Sequence, residues 1–106
     1  MPATRDAFFS TRWVHVFEED TAGGAVFRPD SEDIPLSRRP REQLELAEDG
    51  SARFFVAGPD DRLRPREGRW HSEGDTVVVR LAATDQRGER ELRIVSRSPH
   101  RLVVQL

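Results

Sequence analysis

Glu67-Gly-Arg-Trp-His-Ser-Glu-Gly-Asp-Thr-Val-Val-Val-Arg-Leu81 is the stretch that decides the fold of this chain. Both its ends are β-rich, and Ser72-Glu-Gly-Asp75 between them has the composition of a tight turn. In the second half Val77, Val79 and Leu81 alternate with Thr76, Val78 and Arg80, which is the period of a strand with one buried face. The stretch therefore predicts an antiparallel hairpin.

The same metre runs outward in both directions. Runs at 12–17, 25–28, 42–47, 52–57, 89–96 and 101–106 are parted by Thr21-Ala-Gly-Gly24, Glu48-Asp-Gly-Ser51, Asp85-Gln-Arg-Gly88 and Ser98-Pro99. About eight short strands at this spacing predict an all-β, single-domain, antiparallel up-and-down β-barrel over residues 12–106. Residues 1–11, with the isolated Phe8-Phe9 pair, are expected to cap its open end. Period-two alternation points Trp13, Phe17, Phe27, Leu44, Leu46, Phe55 and Trp70 inward, together with Val77, Val79, Leu81, Leu92, Ile94, Leu102 and Val104. Phe54 and Phe55 are adjacent, so one of them must face out. The run Arg12–Phe17 is apolar on both faces, and its outer side needs a cover from the N-terminal segment or a partner subunit. Pro29–Arg41 is too long for a hairpin loop, and its three prolines forbid a regular helix. It reads as a lid that Ile34 and Leu36 would pin across the barrel mouth.

Composition narrows the function classes. The chain has 106 residues, 34% of them charged, and a net charge of −2, which gives no general attraction to nucleic acid or anionic membranes. Residues 1–50 hold 11 acids and 6 Arg, while residues 51–106 hold 8 acids and 11 Arg, so cross-strand ion pairing between the halves is expected. Every basic residue other than histidine is Arg, which reads as the codon bias of a GC-rich genome rather than an Arg-specific function, and a bacterial source is expected. There is no cysteine, and no apolar run approaches a membrane span, so a cytoplasmic protein is expected. The three histidines are far apart, without metal-ligand spacing, and no Ser lies in a nucleophile-elbow context; neither a metal nor any other cofactor is expected.

Thr11-Arg-Trp13, the Gly68-Arg-Trp70 hairpin, Val26-Phe-Arg-Pro29 and Pro35-Leu-Ser-Arg-Arg39 together resemble the small lipocalin-like, calycin-type β-barrels, and in particular a group of short, uncharacterised bacterial proteins. Thr11 stands where the lipocalin first strand has Gly. The resemblance implies that Trp13 closes one end of the barrel and that Arg97 or Arg101 stacks on its ring.

The candidate site is His15, Glu19 and Arg28, with Arg38 and Arg39 on the long loop. On a continuing strand His15 shares a face with Phe17 and Glu19, whereas Glu18 points away. A histidine, a carboxylate and a guanidinium gathered at a barrel mouth would offer polar contacts to a small, partly apolar ligand. A non-catalytic binding module is the leading expectation. The alternatives are a pocket-type isomerase or cyclase with His15 as base and Arg28 as electrophile, and a packed barrel that forms a homodimer through an outer face such as Val14, Val16 and Val78. Arg62-Leu-Arg-Pro-Arg66 with Arg69 is a second arginine cluster, with the donors to hold a phosphate or carboxylate.

Overall fold

A computed structural model of the chain describes residues 8, 9, 11–38, 40–57, 62–83 and 88–106. The expectations placed on residues 1–7, 10, 39, 58–61 and 84–87 lie outside the described residues. The strands are β1 (Trp13–His15), β2 (Ala25–Pro29), β3 (Gln43–Leu46), β4 (Ser51–Ala57), β5 (Leu63–Glu73), β6 (Thr76–Leu81), β7 (Arg90–Ser98) and β8 (Arg101–Gln105). They close into one barrel in which every neighbouring pair is antiparallel. The expected closed, eight-stranded, antiparallel all-β domain is thus the observed one. No helix among the described residues is long and apolar enough to cross a membrane.

The order around the barrel is β1-β2-β8-β7-β6-β5-β4-β3, so chain order holds from β3 to β8 and changes at the first hairpin. β1 lies between β2 and β3, pairing with Ala25–Pro29 on one side and with Gln43 and Leu44 on the other. Because both flank the same strand antiparallel, β2 and β3 run in the same direction. Residues 30–42 must therefore travel back along the whole barrel, from the end marked by Trp13 to the end marked by His15. The interior is filled, so this crossing passes outside β1. Here the structure corrects the expected lid: the long segment is a strap along the wall, not a cover over the mouth. Leu36 is fully exposed and pins nothing, while Ile34 is half-buried.

The strap accounts for the two-sided apolar character of β1. Val14, Val16 and Val26 are buried yet stand outside the interior cluster. A segment of the same chain covers the side for which a partner subunit was one expected cover. Val78, the third apolar outer residue, sits in register between His71 and Arg93. Glu73 bonds His71 at 2.7 Å and lies 3.9 Å from Arg93, which roofs the valine with charged side chains. Val14, Val16 and Val78 therefore do not form the open face that the dimer alternative called for.

Inside, Trp13, Phe27, Phe54, five leucines, Ile94, three valines and two alanines pack into one cluster. An eight-stranded barrel has an interior just wide enough for side chains, and here they occupy it. Phe54, not Phe55, is the inward phenylalanine, because Arg53 fixes the outward phase of β4 and Phe55 shares it. Phe55 lies on the outer wall under the Arg12 guanidinium, 4.9 Å from its ring centroid. Phe17 is also corrected: it is 52% exposed. β1 stops at His15, and a 3₁₀ turn over Phe17–Glu19 ends the alternation that would have carried Phe17 inward. Gly68 on β5 allows a close strand approach, since a Cβ there would lie 2.3 Å from the Arg80 carbonyl oxygen.

The two phenylalanines of β4 give a direct test of this phase. Phe54→Ala is expected to cost about 3–5 kcal/mol, as for a fully buried aromatic, and Phe55→Ala clearly less. Urea unfolding of both variants, compared at equal slope, measures the difference. Equal losses would contradict the assigned inward face.

Candidate functional site

His15 leaves β1 on the same face as Trp13, at the opposite end of the barrel. Its ring stacks on that of its cross-strand partner Phe27, with centroids 5.0 Å apart, and its side chain is 15% exposed. The carboxylate it meets is Asp20, not Glu19. The 3₁₀ turn swings the chain back so that Asp20 lies 3.0 and 3.1 Å from His15 Nε2, while Asp20 Oδ1 also accepts the Val26 N–H at 2.9 Å. Glu42 Oε1 is 3.8 Å from Nδ1. A carboxylate thus stands beside each ring nitrogen, an arrangement that fixes the ring and leaves neither nitrogen facing an open cavity.

Glu19 is taken by Arg28, whose Nε donates to Oε1 at 2.8 Å, and Arg28 Nη1 donates to Glu32 at 3.3 Å. Phe27 is inward, so Arg28, the next residue, points to the outer wall; His15 and Arg28 do not converge on one pocket. Glu32 in turn lies 2.6 Å from His100 Nδ1, and this contact, with Arg28 beside it, holds its carboxyl below the ordinary value. The chain Glu19–Arg28–Glu32–His100 ties the start of the strap to β2 and to the turn before β8. Arg38 is exposed, and Arg39 lies outside the described residues.

The sequence reading missed the importance of Arg41. Its side chain is 7% exposed and grips Glu18 with two bonds, of 2.9 and 2.7 Å. It also donates to the carbonyl of His15 at 3.0 Å and twice to that of Pro35, and its guanidinium covers the Phe17 ring at 4.7 Å. This one residue pins the end of the strap to the 3₁₀ turn. The signal was a carboxylate run, Glu18-Glu-Asp20, facing an arginine run in the opposite charge register, but the sequence could not say which partner each would choose.

The other end is closed by aromatic residues. The buried Trp13 donates its Nε1–H to the Phe8 carbonyl at 3.2 Å and the half-buried Trp70 donates its own to that of Ala47 at 2.7 Å, the edge bonds expected of indoles packed on a core. Phe9 stacks on Trp70 at 5.3 Å. Arg97 lies over the ring of Phe8, at 4.7 Å, and not over Trp13, because Phe8 occupies the neighbouring space. Beside Phe9 an open cleft of about 490 Å³ is lined by Thr11, Glu45, Leu46, Ala47, Ser51, Ala52, Arg53 and Glu67. It lies where β1 and β3 part company: their ladder stops at Trp13–Leu44, and the wall opens between the chain before Trp13 and the end of β3. Leu46 and Ala52 are interior residues, so the cleft reaches the edge of the core. None of His15, Glu19, Arg28 or Arg38 lines it. Among the described residues no cluster of His, Asp or Glu has the form of a metal site.

The Glu18–Arg41 pair has a pH signature. Bonding to Arg41 holds the Glu18 carboxyl below its ordinary 4.5. A depressed folded value stabilises the protein above the unfolded value, and that stability is lost as pH falls through the folded one. Below about pH 4.5 the urea midpoint of the wild type is expected to drop more steeply than that of Glu18→Gln. Parallel profiles would show that the pair contributes nothing to acid stability.

No protein-family model, curated protein or solved structure matches this chain.

Proposed function

We propose that the protein is a non-catalytic binding module for a small, partly apolar ligand, held in the cleft at the Trp13 rim of the barrel. The observation that carries this reading is the coincidence of an open volume with the shortest ladder of the barrel wall among the described residues, the two pairs of β1 with β3. Its size falls within the range of small-molecule sites. Phe9 offers an apolar wall, with the buried Leu46 and Ala52 behind it, and Thr11, Ser51, Glu45, Arg53 and Glu67 form a polar rim. Arg12 pairs with Glu45 at 2.9 Å and Arg53 with Glu67 at 3.3 Å, so the rim charges compensate each other and favour a neutral or weakly polar ligand. The resemblance to lipocalin-like barrels supports a binding role. The large side chains clustered inside the barrel argue against a deep ligand cup among the described residues and favour the rim. His15, Glu19 and Arg28 then serve the architecture, since each already has a partner.

The test uses neutral probes. N-phenylnaphthylamine fluorescence and a neutral fragment set followed by amide chemical shifts should both report on Phe9, Thr11, Leu46 and Ser51. Ala47→Phe, which fills the cleft, is expected to weaken binding at least about tenfold, the effect of roughly 1.4 kcal/mol. His15→Ala should leave binding unchanged. Shifts centred on His15, or no response to any probe, would overturn the reading, the second outcome in favour of a barrel that acts only through protein contacts.

A further inference from the structure

Arg66 is the one buried charged residue among the described residues, at 6% exposure. It stands on β5 directly opposite Phe54, an interior residue, so its side chain leaves the inner face of the barrel near the His15 end. Nη2 donates to the carbonyls of Ala82 at 3.0 Å and Gly88 at 2.8 Å. Nε is buried and has no acceptor. Arg90, on β7, faces inward opposite Leu81 and lays its guanidinium over the same Phe54 ring, 5.7 Å from the centroid. Gly68 lies in register between Ala52 and Leu81, so no side chain on β5 intervenes between Arg90 and the phenylalanine.

Six other arginines contrast with this pair. Arg12, Arg28, Arg41, Arg53, Arg80 and Arg93 each pair with a carboxylate. No ion pair joins Arg66 or Arg90 to a described carboxylate, although Arg66 is the most deeply placed of all. A buried guanidinium with a spare donor and no described carboxylate beside it is costly, more so with a second cation on the same inner face of the barrel.

We propose that Arg66 and Arg90 form a binding site for a small oxyanion, a carboxylate or a phosphate group, at the His15 end of the barrel. The anion supplies the counter-charge that no described carboxylate provides and the acceptor that Nε lacks. The planar guanidinium groups suit its oxygens, and the Phe54 ring offers an apolar flank to an organic acid. This site shares no lining residue with the rim cleft: Arg66 and Arg90 lie on the inner face, whereas Arg53 and Glu67 of the cleft point outward.

Thermal unfolding at constant ionic strength tests it, with inorganic phosphate and benzoate each compared against chloride. A bound oxyanion at ten times its dissociation constant should raise Tm by about 4 °C or more over chloride. A response to benzoate alone identifies an organic acid as the source, and a response to phosphate a phosphate group. Arg90→Gln should abolish the shift. Arg66→Met should also abolish it, and in chloride should unfold at a higher temperature than the wild type, because it removes an uncompensated buried charge. Equal shifts in phosphate, benzoate and chloride, or an undiminished shift in Arg90→Gln, would overturn the proposal. So would a lower Tm of Arg66→Met in chloride, which would make Arg66 only a clamp for the Ala82 and Gly88 carbonyls. If Arg66→Met does not fold, Arg90→Gln decides alone.

Discussion

Closing a sheet into a barrel requires every strand to be paired on both sides, and in this chain closure passes through a strand of three residues, Trp13–His15. β1 has to satisfy β2 on one side and β3 on the other, and on the β3 side it offers only the pairs Trp13–Leu44 and Val14–Gln43, with the His15 N–H reaching the Glu42 carbonyl at 2.8 Å. So short a ladder holds little by itself. The features that distinguish this barrel from a plain meander can be read as reinforcements of that seam: the indole of Trp13 in the core, the strap across its outer face, and the ion pairs that anchor the strap.

The strap shows how the uneven charge distribution is spent. Its first anchor runs from Glu19 through Arg28 and Glu32 to His100, and its second is Arg41 on Glu18. Exposed ion pairs contribute little singly. Arg41 differs because it is nearly buried and bridges three parts of the chain that meet only when β1 is in place: the Glu18 carboxylate, the His15 carbonyl and the Pro35 carbonyl. A guanidinium can do this because its donors diverge within one plane. The acidic excess of residues 1–50 is thus in part matched within that half, by Arg12, Arg28 and Arg41, and only in part across the barrel.

The eight runs and most of the inward set were legible because strand alternation is a local property. Val77, Val79, Leu81, Leu92, Ile94, Leu102 and Val104 could be placed from neighbours two residues away. The failures fall where alternation stops or has no phase reference. Phe17 was lost because nothing local announces that β1 ends at His15. Phe55 was chosen over Phe54 although Arg53 fixed the outward phase two residues before Phe55. The position of β1 between β2 and β3 was illegible in principle, since pairing order depends on which edges remain when the sheet closes. The same limit hid the site. His15 was recognised as an inward histidine, but its partnership with Asp20 depends on the 3₁₀ turn, and the separation of Arg28 from it depends on strand phase. Arg66 was visible only as one member of an arginine cluster; its burial follows from its register with Phe54.

A chain of this size cannot both fill an eight-stranded barrel and keep a cup inside it. The interior side chains here are large and contiguous, so binding capacity is left to places where the wall or the charge balance is incomplete. At the Trp13 end the incompleteness is one of backbone: β1 and β3 diverge, and the gap opens a cleft that backs onto the buried Leu46 and Ala52. At the His15 end it is one of charge: Arg66 is sealed in with a donor unmet, while Asp20, Glu19 and Glu18 are engaged by His15, Arg28 and Arg41. The two deficits differ in kind and so select different chemistry, apolar surface at one rim and an anionic group at the other. A carboxylate brought to Arg66 would answer the second without entering the first, because Arg66 lies on the inner face of β5 and is not among the residues that line the cleft.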